Sequence, residues 1–239
     1  MSAGFGLSSG SAPALAGAAL ADLVRECGGD TVDLRAGKGH GWEADGLTPF
    51  TERGVRVAFV GISVALGDPR HTPEDVARLA GAWPGRPVKV FADVGAAAAG
   101  GLVAAQVAAL ATGRNAADVL VETHHGRALP AELRELHDRY GLRVVLDTAG
   151  LAATTDDPAA ALGLLRPAVA AVQVKGFRLR PAGGSDHHPL GPDDLAELTA
   201  LFRALPPDGL PVTVESRAGT PRSDLRHTVA AWSRAHHGR

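Results

Sequence analysis

The chain has 239 residues, 45% of them hydrophobic, and a formal net charge of -2, a globular composition that excludes intrinsic disorder and gives no electrostatic footprint for nucleic acid. No apolar run reaches the roughly 20 residues of a spanning helix; the longest, 96–111, is mostly Ala and Gly and contains Gln106. Cys27 is the sole cysteine, so no internal disulfide is possible, and the N-terminus lacks the basic start and apolar core of a signal peptide, so a cytoplasmic protein is expected.

Taken in chain order, strand-like and helix-like segments alternate almost to the end. Residues 4–8 and 31–35 read as short strands, the second carrying Asp33 and Arg35 on one face. Arg35 would bind a substrate carboxylate or phosphate, or make a salt bridge near Asp33 or to Asp93. A long connection, 37–48, follows, with Gly37-Lys38-Gly39-His40-Gly41-Trp42 at its start. Its glycines suit a mobile lid carrying His40, with Trp42 stacking on a sugar ring; an ordinary surface loop is the alternative. The strands 56–60 and 88–92 flank a helix opened by Thr72-Pro73-Glu74-Asp75, which supplies a cap, a first-turn proline and acids at the N-terminus. Strand 119–122 is followed by His124 and His125, one of which would reach a site. Helix 130–140 buries Leu133 and Leu136 and stops at Gly141.

Strand 143–147 and a helix opened by Asp157-Pro158 come next. Strand 171–175 places Gln173 and Lys175 on one face, and a second long connection, 177–191, contains His187 and His188. Pro192-Asp193-Asp194 opens a helix with Leu195, Leu198, Leu201 and Phe202 on one stripe. Strand 211–215 and a final helix of about 224–235, with Leu225, Val229 and Trp232 inward, complete the chain. Eight βα units without a composition break predict one α/β domain over 1–239, a single (β/α)8 TIM barrel. An open doubly wound sheet is the alternative, but residues 4–10 do not match its glycine-rich phosphate loop.

Three strands end in an acid: Glu122 after Val119-Leu120-Val121, Asp147 after Val144-Val145-Leu146, Glu215 after Val212-Thr213-Val214. A buried charge must be paired, metal-bound or open to a wet cleft. One reading gathers the three carboxylates and Gln173 around a hard divalent cation, Mg²⁺ or Mn²⁺. The other pairs them with Arg35, Lys175 or Arg217 at the strand ends. Lys175 would neutralise a developing oxyanion, and Arg217 would clamp an anion.

These motifs resemble the xylose isomerase-like TIM barrels, which include sugar-phosphate isomerases and epimerases, inosose dehydratases and the AP-endonuclease group. The resemblance spans most of the chain and rests on Val-Glu-Thr-His-His-Gly at Glu122, Leu-Asp-Thr-Ala-Gly at Asp147, Val-Gln-Val-Lys-Gly at Gln173 and Val-Glu-Ser-Arg at Glu215. It implies one divalent metal, Mn²⁺ or Mg²⁺, on Glu122, Asp147, Gln173 and Glu215. It also implies Glu122 and Glu215 as proton carriers, and barrels of this type often pair as homodimers. From their own positions, Arg35, His40, Trp42, His124, Lys175, His187 and Arg217 are the candidates for binding a small polyhydroxylated substrate, with ion pairs or ordinary loop positions as the alternative. Gln173 stands where the family pattern has histidine, and Ala149 and Gly150 stand where a further histidine often follows. The resemblance implies a metal-dependent isomerase or epimerase working through an enediolate. Its alternatives are a dehydratase on the same scaffold and a metal-free barrel.

Overall fold

The computed structural model describes residues 3–180 and 184–237. Its strands are β1 (Gly4–Ser8), β2 (Thr31–Arg35), β3 (Arg56–Leu66), β4 (Val88–Ala92), β5 (Val119–Glu122), β6 (Arg143–Asp147), β7 (Val169–Val174), β8 (Phe177–Leu179), β9 (Ser185–His187) and β10 (Pro211–Val214). Eight of them close into a parallel barrel in the order β1-β10-β7-β6-β5-β4-β3-β2. Helices lie between successive barrel strands, and the (β/α)8 expectation is borne out. The barrel strands are mostly short runs of Val and Leu buried on both faces, as parallel strands under a helical layer must be. The chain divides into two compact units, Met1–Ala58 with Ala171–Arg239, and Phe59–Ala170.

In the first unit, β1 pairs with β2 and β10, and β10 pairs with β7. The helices are α1 (Gly17–Glu26), α2 (Thr48–Glu52), α8 (Asp194–Arg203) and α9 (Pro221–His236). Trp232 of α9 packs edge-on against Phe5 and Phe202, with ring centroids 5.7 and 5.1 Å away. Leu225 is buried with it, but Val229, expected inward, is 36% exposed. The α9 stripe is narrower than its sequence suggests because α8 and β1 cover only the Leu225–Trp232 side. An antiparallel hairpin of β8 and β9 occupies the second long connection; residues 181–183 there lie outside the described residues.

In the second unit, β3, β4, β5 and β6 pair in sequence. Its helices are α3 (Pro73–Gly81), α4 (Gly100–Leu110), α5 (Pro130–Tyr140), α6 (Thr148–Thr154) and α7 (Pro158–Leu165). The Thr72 hydroxyl accepts from Asp75 N–H at 3.2 Å, capping α3. Gly141 ends α5 in the left-handed conformation at φ 72°. Gln106, the polar residue of the apolar run 96–111, is fully buried in α4: its amide nitrogen donates to Asp68 O and His71 O, and its oxygen accepts from Gly67 N–H. It satisfies backbone groups that would otherwise lose water without replacement.

Candidate functional site

In the first unit, chemistry concentrates at the carboxyl ends of β2, β7 and β10. Glu215 follows β10 directly and is 2% exposed. Its Oε1 accepts from Arg35 Nη1 at 2.9 Å and from Arg217 Nε and Nη2 at 2.7 and 2.6 Å, while Lys175 Nζ stands 3.1 Å from Oε2. Burial alone would push this carboxyl up, but Lys175, Arg35 and Arg217 together hold it well below the usual carboxylate range. Arg35 therefore pairs with Glu215, and not with a group near Asp33 or with Asp93. Gly10 makes the packing possible: a Cβ there would lie 2.8 Å from Glu215 Oε1.

Beneath this cluster, fully buried Asp33 accepts from Ser8 Oγ at 2.8 Å and Thr213 Oγ1 at 2.5 Å. The Gln173 amide nitrogen lies 3.3 and 3.4 Å from the two Asp33 oxygens. Strand register explains the set: Ser8 lies opposite Asp33, and Thr213 opposite Gln173. Nothing in the sequence marked Asp33 as the centre of this network except its charge inside an apolar strand.

Two imidazoles border the cations. His40 Nδ1 lies 3.2 Å from Ser9 Oγ, which also accepts from Arg35 N–H. Burial, then the Arg35 charge, push the His40 pKa down. Burial, then Arg217 and Lys175, do the same to His187. Both rings are thus neutral near pH 7. His188 is locked to backbone, with its ring nitrogens 2.8 Å from Pro189 O and 3.0 Å from Phe177 O.

The first long connection, read from sequence as a lid or an ordinary surface loop, is tied down by one side chain. Glu43 accepts from the backbone N–H groups of Gly37, Lys38 and His40 at 2.8, 3.1 and 2.8 Å, which orders the glycine-rich stretch. Trp42 is fully buried, with Phe50 edge-on at 6.5 Å. It is a core residue, because an indole that can reach apolar partners is driven out of water; it offers no face to a sugar ring.

In the second unit, Glu122 is 3% exposed and forms an ion pair with Lys89, itself 7% exposed. Lys89 Nζ also stands 4.1 Å over the Phe91 ring, and the His124 ring packs edge-on against the same ring at 4.9 Å. His124 Nδ1 lies 2.8 Å from His125 O, and His125 is exposed. Asp147 caps α6, its Oδ1 accepting from Gly150 N–H at 2.7 Å. The Thr123 hydroxyl joins the ends of β5 and β6, donating to Asp147 O and accepting from Asp147 N–H. Lys89 is the residue that sequence reasoning missed. Its signal was a charge within Val88-Lys89-Val90, on the strand that pairs with β5.

The four expected metal ligands are thus engaged otherwise. Glu122 and Glu215 are neutralised by lysine and arginine, Asp147 holds a helix N-terminus, and Gln173 turns its nitrogen to Asp33. Among the described residues, no group of three or more His, Cys, Asp or Glu side chains is arranged to hold a metal ion. At Glu215 a divalent cation does not fit, because Oε1 already accepts from Arg35 and Arg217 and Oε2 faces the Lys175 ammonium.

Solved structures share this fold. The probable 3-DHS dehydratase AsbF of Bacillus anthracis, involved in petrobactin synthesis, superposes with a TM-score of 0.63 at 16% identity, over 96% of this chain and 98% of that one. An L-ribulose 3-epimerase superposes at 0.65 and 15% identity, over 98% and 96%. A xylose isomerase domain containing protein from Salmonella typhimurium LT2 superposes at 0.65 and 15%, over 95% and 94%. What the chain shares with these proteins is the fold, a closed (β/α)8 barrel. No family model and no curated protein matches the chain.

Proposed function

We propose that the chain is an enzyme that isomerises or epimerises a small polyhydroxylated carbonyl compound through an enediolate. The observation that carries the reading is Glu215, a buried carboxylate at the end of a barrel strand, surrounded by three cations whose charge exceeds its own. Barrel enzymes build their sites at that end. The structural neighbours, named as epimerases and a probable dehydratase, support the reaction class.

The cluster suits both halves of the chemistry. Without a reactant, Glu215 is a weak base, because the cations lower its proton affinity. The carbonyl and hydroxyl oxygens of a substrate compete for the same N–H donors, and each donor drawn away raises that affinity. Glu215 then removes the proton next to the carbonyl. The C–H electron pair becomes the C=C bond of the enediolate, and negative charge passes to the carbonyl oxygen, which Lys175 stabilises. Transfer of the neighbouring hydroxyl proton to the former carbonyl oxygen, with return of the carbon-bound proton to the former carbonyl carbon, makes the neighbouring carbon the new carbonyl and completes an isomerisation. Return to the opposite face of the same carbon is epimerisation and needs a second proton donor on that face. Arg35 and Arg217 bind substrate oxygens, and His40 and His187 donate or accept hydrogen bonds as neutral rings.

Dehydration is the second reading, favoured by the fold neighbour named a probable 3-DHS dehydratase. The same enediolate expels a β-hydroxyl, which leaves as water with the proton held by Glu215. Incubation with a panel of ketoses, aldoses and polyhydroxy keto acids in D₂O tests both. Isomerisation or epimerisation places solvent deuterium on carbon without loss of water from the substrate, whereas dehydration lowers the product mass by one water. No turnover across the panel, with no compound raising the melting temperature, would end the reading. On a verified substrate, Glu215→Gln should lower kcat by about 10²–10⁴-fold, and Lys175→Met should lower kcat by about 10²-fold, more than it raises KM.

A further inference from the structure

We infer that the ammonium groups of Lys89 and Lys175 take the place of a divalent cation at the strand-end glutamates, so that neither Glu122 nor Glu215 binds Mn²⁺ or Mg²⁺. Buried carboxylates need positive charge within a few ångströms. In each unit that charge comes from the chain itself. In the first, Lys175 stands against one oxygen of Glu215 while Arg35 and Arg217 fill the other. In the second, Lys89 pairs with Glu122 and rests on the Phe91 ring, so its charge meets a carboxylate on one side and a ring face on the other.

The choice of lysine supports the substitution. The chain has 24 lysines plus arginines, and only Lys38, Lys89 and Lys175 are lysine. Two of those three stand against strand-end glutamates, Lys89 buried and Lys175 with a side chain 11% exposed. An ammonium is a compact point charge, nearer in shape to a metal ion than is a flat guanidinium. A divalent ion entering at Glu215 would have to displace several charge-assisted hydrogen bonds while held among fixed positive charges.

Metal binding is read without any turnover, so its outcome is separate from failure of the proposed reaction. The full chain, stripped with EDTA, is titrated with Mn²⁺ and followed by electron paramagnetic resonance, with melting temperature recorded in parallel. The expected result is an aqueous Mn²⁺ signal that tracks added metal, and an unchanged melting temperature with Mn²⁺, Mg²⁺ or EDTA. Stoichiometric loss of that signal at micromolar metal would overturn the inference. Lys89→Met leaves Glu122 buried without its ammonium; we expect this variant to melt lower than the parent and to be raised again by Mn²⁺. A folded Lys89→Met protein indifferent to Mn²⁺ would equally overturn it. If that variant does not fold, the titration of the unaltered chain still decides.

Discussion

Glu215 has three cationic partners within 3.1 Å, and its ionisation is tied to stability. Its pKa is lowered in the folded chain from an ordinary 4.5. The unfolded chain therefore binds a proton more readily than the folded one. The stabilisation is complete above pH 4.5 and is lost progressively as pH falls below it toward the folded pKa. Urea unfolding between pH 7 and pH 3 should show stability falling through the lower part of this range, and Glu215→Gln should flatten that dependence. The same variant strands three cations, and at pH 7 it should cost about 3 kcal/mol or more. Gly10 tests positioning: Gly10→Ala pushes a methyl against Glu215 Oε1, and turnover should drop on the order of 10²-fold with little change in melting temperature. Full turnover in the Gly10→Ala variant would detach Glu215 from the chemistry. Both lysines were visible as charges in Val-rich strands, but which acid each would meet was not, because a lysine stem reaches several positions on either neighbouring strand.

Element boundaries followed the chain's own punctuation where it was strong. The strands at 4–8, 31–35, 88–92, 119–122 and 143–147 and the helix at 130–140 lie where apolar runs, proline starts and Gly141 placed them. β3 continues to Leu66, past the stop expected at Val60, because Gly61 marks a shift in register between Gly61 and Ala65 and does not end the strand. The β8–β9 hairpin and the Glu43 clamp were not legible, since both depend on backbone groups meeting across loops. Asp147 acts at the scale of an element. It caps α6, and Asn caps as well as Asp, so Asp147→Asn should retain stability while Asp147→Ala loses about 1 kcal/mol in chemical denaturation. If the Asn variant is stable yet turns over about 10²-fold more slowly, the charge of Asp147 serves the reaction and not only the helix.

For the chain taken entire, a single domain over 1–239 predicts one cooperative transition, with circular dichroism and tryptophan fluorescence coinciding. Separate transitions, one of them reproduced by a fragment covering 59–170, would instead make each compact unit a domain. The barrel was already written in the order of the residues: eight apolar strands alternating with capped helices have few ways to bury both strand faces, and closure is the one adopted. So was the placement of acids at the ends of β5, β6 and β10, because strand ends are read locally. What neutralises those acids emerged only from the folded arrangement. Ion pairing depends on distances of a few ångströms between residues as far apart as Arg35 and Glu215, and such distances are set by strand register, by the missing side chain at Gly10 and by the reach of each cation.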